Sequence, residues 1–116
     1  YRGLLDQARQ ANPALKIVLC TPFAAPCGKI VEGALGEYYP LRQRILAQCC
    51  VIVERIAADY GATLVPFHRL IADLETRLPN GDATYWVWDG IHPTPAGQRL
   101  MADCWIGAAA RNGVME

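Results

Sequence analysis

The sequence contains no serine. That excludes a serine nucleophile from within these residues, whatever else they carry. It also lacks a charge of either sign in excess: Lys plus Arg is 11 and Asp plus Glu is 11, for a net charge of zero and a pI near 6.9. A protein that holds a phosphate backbone needs a basic face, so no nucleic-acid partner is expected. No apolar run approaches the roughly 20 residues of a membrane-spanning helix, and the opening YRGLLDQARQ is an amphipathic helical pattern, not a signal peptide. There is no CxxC pair. The five cysteines, Cys20, Cys27, Cys49, Cys50 and Cys104, are odd in number, and Cys49 and Cys50 are adjacent. They read as small buried hydrophobes in a reducing compartment, which predicts a cytoplasmic protein.

What is present is apolar. Hydrophobic residues make up 53% of the 116, charged residues 19%, and mean hydropathy is +0.11. That is enough for a core, and the length suits one domain or part of one. Tyr1 to Ala11 places Leu4, Leu5, Ala8 and Ala11 on one helical face, and Asn12-Pro13 ends it. Leu15 to Cys20 is a short β-rich run, stopped by Thr21-Pro22. A long loop follows to about Gly36. From Pro40 to Tyr60, Leu41, Ile45, Cys49, Ile52, Ile56 and Tyr60 repeat every three or four residues, which predicts a long helix buried along that stripe. Gly61 suits the left-handed position after its end. Ala62 to Phe67 reads as a second buried strand, His68 to Leu78 as a short helix, and Pro79-Asn80-Gly81-Asp82 as a turn. Thr94 is the N-cap of a last helix that runs to Asn112, with Leu100, Met101, Cys104 and Trp105 as its buried stripe.

Two apolar strands separated by one long helix make a βαβ unit, so the strands are expected to be parallel. Parallel strands are buried on both faces and need neighbours, and two strands alone are a poor sheet. The chain therefore reads as the C-terminal part of a larger α/β domain, or as one that pairs with another chain. The uncovered faces predict self-association.

The informative stretch is Trp88-Asp89-Gly90-Ile91-His92-Pro93-Thr94-Pro95. Gly90 is free to take a positive φ, and Pro93 pushes His92 toward an extended conformation. A tight turn then brings Asp89 and His92 to the same side. The Asp89 carboxylate would accept a hydrogen bond from Nδ1 of His92, leaving Nε2 as a general base; this is the base-and-orienter half of a nucleophilic triad. An Asx-type turn ahead of a helix accounts for the same spacing without any chemistry. Tyr85, Trp86 and Trp88 either line a pocket beside His92 or pack the loop onto the core. Cys27 as a thiolate nucleophile and Thr21 or Thr94 as a hydroxyl nucleophile are weaker candidates. His68 with Asp73, Asp89 and His92 lacks metal-ligand spacing, so no metal or cofactor is expected.

The block YWVWDGIHPTPAGQRLMADCW resembles the last conserved block of the SGNH (GDSL-type) hydrolases, serine esterases and lipases in which D-x-x-H-P precedes the final helix. KIVLCTPF and YGATLVPFHRLI resemble the last two strands of that fold. The resemblance covers nearly the whole chain in order and spacing. It implies a three-layer αβα, flavodoxin-like fold with a parallel sheet, present over residues 1–116 as its C-terminal part, with two strands and three to four helices. By that match Asp89 is the triad acid and His92 the triad base; Gln98 stands where a histidine is frequent. The family's Gly-Asp-Ser block has no counterpart. None of Asn12, Asn80 and Asn112 sits after a strand, as the family's oxyanion-hole asparagine does. The resemblance thus implies a carboxylic-ester hydrolase acting on a small-molecule ester, with its serine on an N-terminal segment outside these residues. The alternative is a non-catalytic α/β module that binds a ligand or partner.

Overall fold

The computed structural model describes residues 1–77 and 82–115; Pro79, Asn80 and Gly81 of the expected turn, and Leu78 at the expected helix end, lie outside them. Helix α1 (Arg2–Ala11) ends at Asn12, whose φ of −142° and ψ of 95° are the extended geometry that Pro13 demands. Strand β1 (Val18–Cys20) and strand β2 (Thr63–Val65) pair in parallel, with Val18 opposite Thr63, Leu19 opposite Leu64 and Cys20 opposite Val65. The ladder runs one residue further at each end, because Thr63 N–H donates to Ile17 at 2.8 Å and Thr21 N–H donates to Val65 at 3.1 Å. Between the strands lies α3 (Tyr39–Asp59), with Pro40 in its first turn. Helices α4 (Phe67–Arg77) and α5 (Pro95–Arg111) complete the long elements. The fold is α/β with helices flanking a two-stranded parallel sheet, as the βαβ pattern predicted.

The long loop after β1 is more ordered than its composition suggested. It holds a 3₁₀ turn (Gly28–Val31) and a short helix, α2 (Gly33–Glu37). Ile30, only 5% exposed, anchors that turn in the interior.

Alternation along the strands sorts the core. Leu19 and Leu64 face α1 and α3, where Leu5, Ile17, Ile56 and Ala57 form one cluster with Val53 and Tyr60 packed against it. Alternate strand residues face the other way, toward α5, which contacts β2. A second cluster joins Ala25 and Cys27 of the loop to Ile71 of α4 and to Ala83 and Val87. It seats the segment before α5 on the loop after β1.

Two helices depart from their expected burial. The α3 stripe is buried only at its far end: Ile56 is in the core, whereas Ile45 and Ile52 are about half exposed, and Leu41 and Cys49 also face outward. The reason is the length of its neighbour. Helix α1 has 10 residues against 21 in α3, and it reaches only the last turns, where Arg2 pairs with Asp59 at 2.5 Å and Tyr60 bonds Asp6. On α5, Gly97, Ala108 and Ala109 are the buried residues. Trp105 is exposed, and Leu100, Met101 and Cys104 are only half-buried. Small residues let α5 lie close on β2, which turns the bulky stripe aside. The five cysteines are free thiols; Cys27 and Cys50 are buried, whereas Cys49 is exposed. Among the described residues no helix is long and apolar enough to cross a membrane.

Candidate active site

The segment before α5 doubles back on itself. Val87 and Pro93 form an antiparallel bridge, and inside it Trp88 N–H donates to His92 O at 3.2 Å. Gly90 sits at the tip with φ +94°, a conformation L-residues rarely adopt. The Asp89 carboxylate divides its work. Its Oδ1 accepts from the backbone N–H of Ile91 at 3.1 Å and of His92 at 2.8 Å, closing an Asx turn. Its Oδ2 lies 2.6 Å from Nδ1 of His92. The turn and the oriented imidazole are thus one arrangement, with one oxygen for each.

The hydrogen bond from His92 and the backbone donors hold the Asp89 carboxyl down from its ordinary 3.8 to about 2. An ionised carboxylate only accepts, so Nδ1 is the donor, and the neutral form of the imidazole then has its lone pair on Nε2. The His92 side chain is 64% exposed against 22% for Asp89, so the imidazole is open to solvent while its partner is shielded. A folded pKa below the unfolded one means that ionised Asp89 favours the folded turn above pH 3.8. That contribution fades as pH falls through about 2.

The loop after β1 braces this turn. Ala25 N–H donates to Gly90 O and Cys27 Sγ–H to Val87 O, each at 2.8 Å. Gly28, with φ +62°, lies so close that a Cβ there would stand 2.6 Å from the Asp89 Cα. From the other side Thr94 caps α5: its Oγ1 accepts from Gly97 N–H at 3.1 Å and its hydroxyl donates to Tyr85 O at 2.7 Å.

The family model for the GDSL-like lipase/acylhydrolase family matches residues 1–100. This chain belongs to that family. Among solved structures it is similar to a candidate GDSL-like lipase from Parabacteroides merdae ATCC 43184, at 28% identity and a TM-score of 0.73. The match covers 94% of this chain and 46% of that one, so the GDSL-like chain spans about half the length of the structure it resembles. A search among curated proteins finds no match.

The structure sorts the remaining candidates of this GDSL-like chain. Cys27 is buried, donates to Val87 O, and burial pushes its thiol pKa up, the opposite of what a thiolate nucleophile needs. Thr94 is spent as a cap. Thr21 is 2% exposed and bonds His68, not His92. His68, Asp73, Asp89 and His92 are not gathered together: among the described residues no three potential ligands cluster. The aromatic trio divides. Trp86 is half-buried against the second core cluster, whereas Tyr85 and Trp88 are exposed, Trp88 with its ring 6.5 Å from that of His92.

One network escaped sequence reasoning. Thr21 Oγ1 accepts from the His68 backbone N–H at 3.2 Å and shares a second hydrogen bond of 2.8 Å with His68 Nδ1. The opposite nitrogen faces Glu54 at 3.7 Å, and Glu54 pairs with Arg69 at 2.6 Å. Burial lowers the His68 pKa, which keeps it neutral. Its members come from a strand end and two helices, so no spacing signals them; only the placement of Thr21 and His68 just past the two strands hints at it. His68 also lines a cavity of about 370 Å3, with Ala24, Pro26, Tyr39, Gln43 and Glu75 among its walls. Neither Asp89 nor His92 is among the residues that line it.

Proposed function

We propose that this chain supplies the acid and base of a Ser–His–Asp triad in a carboxylic-ester hydrolase. Residues 1–116 are the C-terminal part of a single domain, and the serine comes from a segment N-terminal to Tyr1. The observation that carries the reading is the 2.6 Å contact from Asp89 Oδ2 to His92 Nδ1, on an imidazole that is otherwise exposed. Family membership and the half-length match to the Parabacteroides merdae structure support it.

In that enzyme His92 Nε2 takes the serine proton as the hydroxyl attacks the ester carbonyl. The resulting imidazolium, stabilised by Asp89, gives that proton to the departing alcohol. Water then enters by the same base catalysis and releases the acid and the serine. The substrate is a small-molecule ester, and the balanced charge of the chain argues against a nucleic-acid partner.

A fluorophosphonate probe tests the assignment, because it labels only an activated serine. Residues 1–116 alone are expected to remain unlabelled. The full-length protein is expected to label, and its His92→Ala variant to label at least a hundredfold more slowly, a loss of the order that removal of a triad base produces. An unlabelled full-length protein would instead support the second reading, a non-catalytic binding module, which the lack of any serine in this chain favours.

The same division predicts how residues 1–116 behave by themselves. The outward faces of Leu41, Ile45, Val51 and Ile52 on α3 and of Trp105 and Ile106 on α5 are apolar, and such faces associate or bind hydrophobic dyes. The isolated chain is expected to bind ANS and to sediment above its 12.7 kDa monomer mass. A monomer with no dye binding and a sharp two-state melt would show that these faces need no cover.

A further inference from the structure

We propose that Trp88 selects the alcohol portion of the ester, favouring alcohols that present a flat apolar ring over open-chain ones. The inference rests on the reading of His92 as the triad base and adds a specificity residue to that site.

The placement of Trp88 follows from the register of the turn. Residues paired across an antiparallel ladder project to the same face, and neighbours along the chain project to opposite faces. Val87 is paired with Pro93 and is fully buried. Trp88 is joined to His92 by its N–H, so the indole and the imidazole emerge together on the outward face. Their ring centroids are 6.5 Å apart and their planes are tilted by 49°. The indole is 63% exposed, a large apolar surface to leave in water beside a polar turn.

The chemistry of the base then says which part of the substrate meets that surface. His92 hands its proton to the departing alcohol, so the alcohol oxygen must come within hydrogen-bond reach of Nε2. The carbon skeleton attached to that oxygen lies within a few ångströms of the imidazole and therefore beside Trp88. Aromatic rings attract one another at centroid separations of about 4.5–7 Å, in offset or edge-to-face arrangements. An aryl ring one carbon from the ester oxygen reaches that range; a two-carbon chain offers little surface there. The turn offers the alcohol no competing charge, since both oxygens of Asp89 are occupied. Tyr85 is held edge-on to Trp86, with centroids 4.8 Å apart, which leaves Trp88 as the aromatic face next to His92.

The test compares benzyl acetate with ethyl acetate in the full-length enzyme, so that the acyl group is constant. The wild type is expected to prefer the benzyl ester in kcat/KM. Trp88→Ala should lower kcat/KM for benzyl acetate about three- to tenfold, the size of one aromatic contact, while ethyl acetate changes less than about twofold. Trp88→Phe should keep most of the preference. Benzyl alcohol should inhibit the wild type competitively and Trp88→Ala more weakly. Equal losses on both esters would make Trp88 a support of the turn and overturn the proposal, as would a wild type without preference for the benzyl ester. His92→Ala in the same assay separates the two readings. Retained turnover there removes the triad assignment itself. An inactive His92→Ala beside an unselective Trp88→Ala removes only the role of Trp88.

Discussion

His92→Ala in the full-length enzyme is expected to lower kcat on the order of 10³-fold or more, with KM changed by less than about tenfold. As the proposed base, His92 would touch the reacting proton in the transition state and hold little of the ground-state substrate, so the loss would fall on kcat. Asp89→Asn keeps the shape of the side chain but replaces a charged acceptor with an amide. If the amide NH₂ faces Nδ1, the imidazole is driven into the tautomer that protonates Nε2, the wrong nitrogen for a base. A loss on the order of 10²-fold is expected, smaller than for His92→Ala because the imidazole remains. The double variant should be hardly worse than His92→Ala alone, since Asp89 Oδ2 acts through the ring it holds at 2.6 Å. Steady-state kinetics on the three proteins, with folding checked by circular dichroism, decide the matter. Near-normal turnover in His92→Ala would end the catalytic assignment, and additive losses in the double variant would reduce Asp89 to a turn residue. Because the Asp89 pKa is held near 2, its protonation should contribute nothing to activity loss between pH 4 and 7.

Gly90→Ala is expected to be the most damaging change on the turn that does not touch a proposed catalytic side chain. Two costs combine. An L-residue at φ +94° is strained by about 1–2 kcal/mol. The new methyl also overlaps the side chain of Ile30 and would stand 2.7 Å from Cys27 O, and forcing a side chain into packed space costs about 1–3 kcal/mol. Together the stability loss should be about 2–5 kcal/mol in urea unfolding, with a drop in activity as the Asp89–His92 geometry shifts. Gly33→Ala supplies the control. Its φ is +50°, and its Cβ would meet nothing within 4 Å, so only the backbone cost applies. Equal losses in the two variants would show that the loop does not brace the turn.

Much of the candidate site was legible before any fold was known. Asp89 and His92 are three residues apart, with a glycine between them and a proline after. Those residues alone restrict the backbone to a turn that joins the two side chains. Thr94 as a cap, Gly61 past a helix end, and the parallel pairing of the two strands were equally readable, because each depends on residues close in sequence or on a single crossover. The sequence by itself also determined that no serine is present, and hence that a triad needs one from elsewhere.

What the sequence left open depends on who packs against whom. The repeat from Leu41 to Ile56 marks an apolar face, but periodicity does not say how far the neighbouring helix extends; α1 covers only the last turns, so Ile45 and Ile52 stay outward. On α5 the bulky stripe looked like the core, yet the buried residues are Gly97, pressed against the Trp86 backbone, and Ala108 and Ala109. The loop after β1 read as irregular, because nothing local announces that Gly28 would be pressed against Asp89. The Thr21–His68–Glu54 network spans 47 residues from its strand to its histidine and has no local signature at all. Local chemistry therefore determined the turn, the caps and the strand direction. Only the tertiary structure decided which apolar faces are covered, because that depends on contacts between segments far apart in the chain; the register of the turn, which sets Trp88 rather than Trp86 beside His92, was likewise visible only once the Val87–Pro93 bridge was seen.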